Sequence, residues 1–119
     1  RDWGHAKDYV EAMRLMLQQK KPQDFVIATG KQSTVKAFVN QVSKILKMNI
    51  TWRGKGVNER AVDENGKTII ACDKTYYRPL EVNSLLGDAK KARKILNWRP
   101  KIGLNEMISE MVKIEIYKN

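Results

Sequence analysis

Phe25-Val26-Ile27-Ala28-Thr29-Gly30 is a short apolar run that stops at a turn, and Val35, Phe38, Val39, Val42, Ile45 and Leu46 follow it at helical spacing. The first segment reads as a buried strand and the second as an amphipathic helix, with Ser33 placed to accept a hydrogen bond from a first-turn amide. Strand, turn and helix in that order set an α/β reading for the chain.

Working back from this stretch, Ala6, Tyr9, Val10, Met13, Met16 and Leu17 repeat at i, i+3, i+4 and i+7, which predicts a helix over residues 6–19 with a core-facing stripe, closed before Pro22. Working forward, Ile50-Thr51-Trp52-Arg53 alternates as a half-buried strand, and Thr68-Ile69-Ile70-Ala71-Cys72 is a second β-rich run. Asn65-Gly66 supplies a tight turn, so residues 60–62 are expected to pair with residues 68–70 as a hairpin. Asp88 then caps a short basic helix with Ala89, Ala92, Ile95 and Leu96 on its apolar side. Residues 97–100 end it, and a last helix runs over Leu104–Tyr117 with Leu104, Met107, Ile108 and Met111 inward. The expected architecture is one small mixed lobe of about four helices and short strands, over residues 1–119.

At 119 residues with 42% hydrophobic content, the chain is long enough for one modest core and too short for two. Twenty-three Lys and Arg against 13 Asp and Glu give a formal charge of +10, which attracts anionic partners without choosing among nucleotide, nucleic acid and acidic membrane. A solitary Cys72 closes no internal disulfide and no run of about 18 apolar residues occurs, so the expected setting is cytoplasmic, with no membrane partner.

Chemistry concentrates in Tyr76-Tyr77-Arg78-Pro79-Leu80-Glu81-Val82 and in Arg1-Asp2-Trp3-Gly4-His5-Ala6-Lys7-Asp8-Tyr9. A guanidinium matches the planar fork of phosphate oxygens, so Arg1 and Arg78 are candidate clamps for a diphosphate, Arg78 being biased towards an extended backbone by Pro79. Glu81, three residues on, is an acceptor suited to ribose hydroxyls, although an Arg78–Glu81 ion pair without ligand fits the spacing equally well. The competing readings are structural ion pairs for the arginines and a satisfied structural role for His5. Gly54-Lys55-Gly56 lacks both a third glycine at dinucleotide spacing and a following helix, so it reads as a plain loop. Lys90, Lys91, Arg93 and Lys94 read first as a solvated face, which leaves a nucleic-acid-binding module as the second hypothesis and a protein-interaction remnant as the third. No metal set and no catalytic or cofactor-binding motif is assigned to these residues.

Residues 1–13, Asp24-Phe25-Val26-Ile27-Ala28-Thr29-Gly30, Tyr77-Arg78-Pro79-x-Glu81-Val82 and Leu86-Gly87-Asp88 resemble successive signatures of the GDP-mannose 4,6-dehydratase family, within the extended short-chain dehydrogenases. The resemblance spans nearly the whole chain and matches the carboxyl-terminal, GDP-sugar-binding region, a fragment lacking the Rossmann domain. It implies a lyase of the GDP-fucose pathway that converts GDP-mannose to GDP-4-keto-6-deoxymannose with NADP bound by the amino-terminal domain, as a homo-oligomer when full length. By motif position, Arg1 and Arg78 resemble the family's diphosphate ligands and Glu81 its ribose-facing acid, whereas the catalytic Tyr and Lys motifs have no counterpart here. The fragment alone is expected to be inactive.

Overall fold

A computed structural model describes residues 1–78 and 84–117. In chain order they form α1 (Ala6–Leu17), α2 (Val35–Ile45), β1 (Thr51–Arg53), β2 (Arg60–Val62), β3 (Thr68–Ala71), α3 (Lys90–Ile95) and α4 (Leu104–Tyr117), with single 3-10 turns at Gly56–Asn58 and Lys74–Tyr76. The expected mixed lobe of four helices and short strands is what forms. None of the described helices is long and apolar enough to cross a membrane.

The three strands make one antiparallel sheet in the order β1-β2-β3, with Trp52 opposite Ala61 and Ala61 opposite Ile70. The predicted hairpin is therefore present, but its turn is built differently. Gly66 alone takes a positive φ, of 79°, while the Asp63 carboxylate accepts the amides of Asn65 at 3.0 Å and Lys67 at 2.8 Å. The aspartate turn replaces the Asn-Gly pair as the organising feature, because its side chain mimics a backbone acceptor. Trp52 ties the sheet to α2 by donating Nε1–H to Asn40 at 2.7 Å, and Lys36 lies over its ring while pairing with Glu59 at 2.7 Å.

The stretch at residues 25–28 is not a strand; among the described residues nothing pairs with its backbone as a sheet. Phe25 and Ile27 pack against a core of Ala12, Ala89, Ala92, Leu96 and Trp98, Val26 is exposed and Ala28 is buried. An apolar run calls for a core, whereas a strand also requires a neighbour for its amides.

Helix α1 departs from expectation in a related way. Tyr9, Ala12, Leu15 and Met16 meet the core, but Val10, Met13 and Leu17 face outward, Leu17 at 88% exposure. This helix carries more apolar residues than one stripe can hold, and the buried Asp8 decides which side turns in. Helix α4 behaves similarly: Ile108 and Val112 are buried beside α2, and Met111 is half exposed.

Caps also shift by one position. Thr34, not Ser33, accepts the Ala37 amide at 3.0 Å, and Asp88 accepts the Lys90 amide at 2.9 Å from just ahead of α3. That bond, aided by the Lys90 side chain and opposed by slight desolvation, holds the Asp88 carboxyl below its ordinary range. Lys47, at φ 55°, closes α2 with the Met48 amide donating to Ser43 at 2.8 Å, so the left-handed residue that ends the helix is a lysine rather than glycine.

Candidate functional site

The first nine residues are locked by hydrogen bonds to two distant parts of the chain. Asp2 meets the turn at Thr29 and Gly30. Its Oδ1 accepts the Thr29 amide at 3.1 Å and the Thr29 hydroxyl at 2.5 Å, and its Oδ2 accepts the Gly30 amide at 2.9 Å. Gly30 has a φ of 76°, and the Arg93 guanidinium lies 3.1 Å from where a Cβ would stand, so a side chain here meets both strain and crowding.

One residue to either side, the same register continues. The Arg1 terminal ammonium donates to the Ser33 carbonyl at 2.7 Å, the Ser33 amide donates to the Arg1 carbonyl at 2.8 Å, and Trp3 packs on Phe38 with ring centres 5.0 Å apart. A cavity of about 360 Å³ opens beside this tie, lined in part by Trp3, Thr29, Lys31, Lys101 and Leu104.

The second half of the motif binds the carboxyl-terminal part. His5 caps α1 by accepting the Lys7 amide on Nδ1 at 3.1 Å, which leaves the Nε2 proton facing Glu110 Oε2 at 3.0 Å. Lys7 reaches the other Glu110 oxygen at 3.0 Å, and this bond, opposed by partial desolvation and reinforced by His5, lowers the Glu110 pKa from its ordinary value. His5 is thus the satisfied structural residue that its isolation suggested. Asp8 is buried, and its Oδ2 accepts the amides of Lys101 and Ile102 at 3.0 Å each, while its carbonyl accepts Trp98 Nε1–H at 2.8 Å. Gly4 lies under the Tyr9 ring, which occupies the space a Cβ would take. Burial, then the Asp2 and Asp8 carboxylates, push the Tyr9 phenol up.

Arg78 sits in a different setting. It follows the 3-10 turn Lys74–Tyr76, which Asp73 caps by accepting the Thr75 amide at 2.8 Å, and residues 72–78 are all exposed, Tyr76 at 80%. Tyr77 approaches the Gly56 turn, its hydroxyl 3.4 Å from the Cβ position there. Glu81 lies outside the described residues, and so does Pro79. Across that interval the chain returns to the Asp2 side: Ser84 donates to the Gln32 side chain at 3.0 Å, and Gly87 lies where a Cβ would overlap that of Ala28.

The basic helix α3 is less solvated than its composition suggests. Lys91 donates to the Asp24 carbonyl at 2.8 Å and covers the Phe25 ring, Arg93 abuts Gly30, and Lys90 pairs with Asp88 at 3.3 Å, so three of its four cations have partners within the fold. Gly54-Lys55-Gly56 is a loop with φ values of 80° and 57° at the two glycines. It leads into a 3-10 turn, and the Asn58 carbonyl crowds Gly54, so no α-helix follows it as one would in a dinucleotide cradle.

Sequence reasoning missed Asp2 and Asp8, whose carboxylates organise more of the site than any cation does. The signal was available: an aspartate in an aromatic-rich motif, in a chain with a Thr-Gly turn needing an acceptor, is a candidate for side-chain-to-backbone bonding.

Comparison with known proteins agrees with these motifs. The family described as GDP-mannose 4,6 dehydratase matches residues 1–111. The chain is 50% identical over 122 residues to a GDP-mannose 4,6 dehydratase of Dictyostelium discoideum, covering 100% of this chain and 34% of that protein. It is 51% identical over 118 residues to one of Drosophila melanogaster, covering 98% and 30%, and 49% identical over 117 residues to one of Homo sapiens, covering 98% and 32%. The chain spans about a third of the length of the curated relatives it matches.

Proposed function

Since the chain belongs to the GDP-mannose 4,6-dehydratase family, we propose that it forms the part of such an enzyme that holds GDP-mannose. In this reading Arg1 and Arg78 grip the diphosphate and Glu81 accepts from the ribose hydroxyls. The observation that carries it is the near-complete match to relatives named for this activity over the stretch that contains both arginines. Physically, a guanidinium delivers paired charge-assisted hydrogen bonds to phosphate oxygens, and the excess of cations on this chain steers an anionic ligand towards it.

The reaction of the family oxidises the mannose C4 hydroxyl, eliminates water across C5 and C6 and returns hydride to C6. By resemblance to the family, NADP and the acid–base residues are assigned to its amino-terminal Rossmann domain. This chain's contribution is to bind and orient the sugar nucleotide, and its product is GDP-4-keto-6-deoxymannose only in that company. A cytoplasmic homo-oligomer is the accompanying expectation.

Calorimetric titration with GDP-mannose, on protein expressed from the complete reading frame, tests the assignment. Arg78→Ala and Glu81→Ala should each weaken binding, by about ten- to a hundredfold for the arginine, since charge-assisted bonds contribute about 1.5–3 kcal/mol. Unchanged affinity in both variants rejects these residues as ligands.

A further inference from the structure

We propose that Asp2 is a positioning residue for the nucleotide-sugar site: its carboxylate sets the register of the Arg1 segment against the turn at Thr29 and Gly30, and thereby the point from which the Arg1 side chain leaves the backbone. The inference rests on the reading of Arg1 as a diphosphate ligand and adds a residue to it that touches no ligand.

Three donors converge on this one carboxylate, two of them consecutive backbone amides and the third the Thr29 hydroxyl. An ionised carboxylate has acceptor sites for all three, whereas an amide side chain offers one oxygen and turns donor hydrogens towards at least one of these N–H groups. The Thr29 hydroxyl is itself fixed, because while it donates to Asp2 it accepts the Lys31 amide at 3.1 Å. Beyond the tie, the two-way bond between Arg1 and Ser33 extends the register by one residue and the Trp3–Phe38 contact closes it on α2. The turn cannot retreat from Asp2 easily either, because Arg93 fills the space at Gly30 and Gly87 presses on Ala28. Arg1 is therefore held through its carbonyl and through the Asp2 tie before any ligand arrives, and ordering that segment is not left to the binding step.

The test uses protein from the complete reading frame and GDP as the probe, with guanosine as the probe lacking phosphates. Asp2→Asn should weaken GDP binding by about five- to thirtyfold, since displacing a ligating group by about an ångström can cost up to a hundredfold. It should leave guanosine binding unchanged and raise KM for GDP-mannose with kcat within about twofold. Arg1→Ala should weaken GDP by at least as much, and the double variant should match Arg1→Ala alone, because there is then no guanidinium to place. If Asp2→Asn fails to fold, Thr29→Val removes only the hydroxyl and should weaken GDP by about threefold, with Thr29→Ser retaining full affinity. Unchanged GDP affinity in Arg1→Ala overturns the reading of Arg1 as a ligand. A loss in Arg1→Ala with none in Asp2→Asn or Thr29→Val, or an Asp2→Asn loss that adds in full to that of Arg1→Ala, overturns the positioning role alone.

Discussion

The two arginines proposed to meet at a diphosphate stand on very different ground. Arg1 belongs to a segment tied by Asp2, Ser33 and Trp3 to the turn and helix that follow residue 28, while the described residues leading to Arg78 leave the sheet along an exposed stretch with a single capped turn. The contrast separates two ways of building a cationic site. A guanidinium on a preorganised backbone adds little ordering cost when ligand binds, whereas one on an exposed segment pays that entropy in the complex. Substitution on the first side should therefore be felt as stability as well as affinity, and on the second as affinity with little change in stability.

Asp8→Ala is the most direct way to break the contrast. It strips the buried acceptor from the Lys101 and Ile102 amides, whose bonds are only part-buried, and so a loss of roughly 1–3 kcal/mol is expected in urea unfolding. A loss below about 1 kcal/mol would mean that the first nine residues are not the anchor argued here. Gly4→Ala is next, since the new methyl overlaps the Tyr9 ring and must displace it; about 1–3 kcal/mol of destabilisation is expected from overpacking. On the other side, Tyr76→Ser, at an 80% exposed position, should stay within about 0.5 kcal/mol of the parent. A larger change would show that the approach to Arg78 is as firmly held as Arg1.

The smallest effect concerns pH. Glu110 is held below its ordinary pKa by Lys7 first and His5 after it, so its contribution is present above the unfolded carboxylate range and is lost as pH falls through the lowered value. Glu110→Gln should accordingly flatten the acid limb of a thermal-stability profile while leaving neutral pH little altered. An unchanged acid limb would show that the bond between α1 and α4 is not held by this charge.

Helical periodicity located α2 and α4 well, with α4 starting where its pattern does, because an apolar face at 3.6-residue spacing is a local property. The hairpin was equally legible, but its organiser was Asp63 rather than the Asn-Gly pair. The apolar run at residues 25–28 was misread as a strand for a definite reason: a continuous apolar run needs only a core to bury it, while a ladder needs a partner backbone beside it. In α1 the surplus of apolar residues left the buried face undecided, and Asp8 chose it. At the candidate site the arginines were visible from their motif positions, whereas Asp2 was passed over because a lone carboxylate announces its role only when its donors are known.

By itself, then, the order of residues determined the helices, the hairpin, the anionic preference of the chain and the family to which it belongs, all of which depend on neighbours in sequence or on patterns copied whole. The folded arrangement alone decided that Asp2 meets a turn 27 residues away, that Asp8 holds amides more than 90 residues away, and that the Arg1 carbonyl is bonded to the Ser33 amide. Those outcomes depend on which donors and acceptors meet across distant stretches of chain, and burial makes each such meeting decisive because an unmet polar group in the interior is costly.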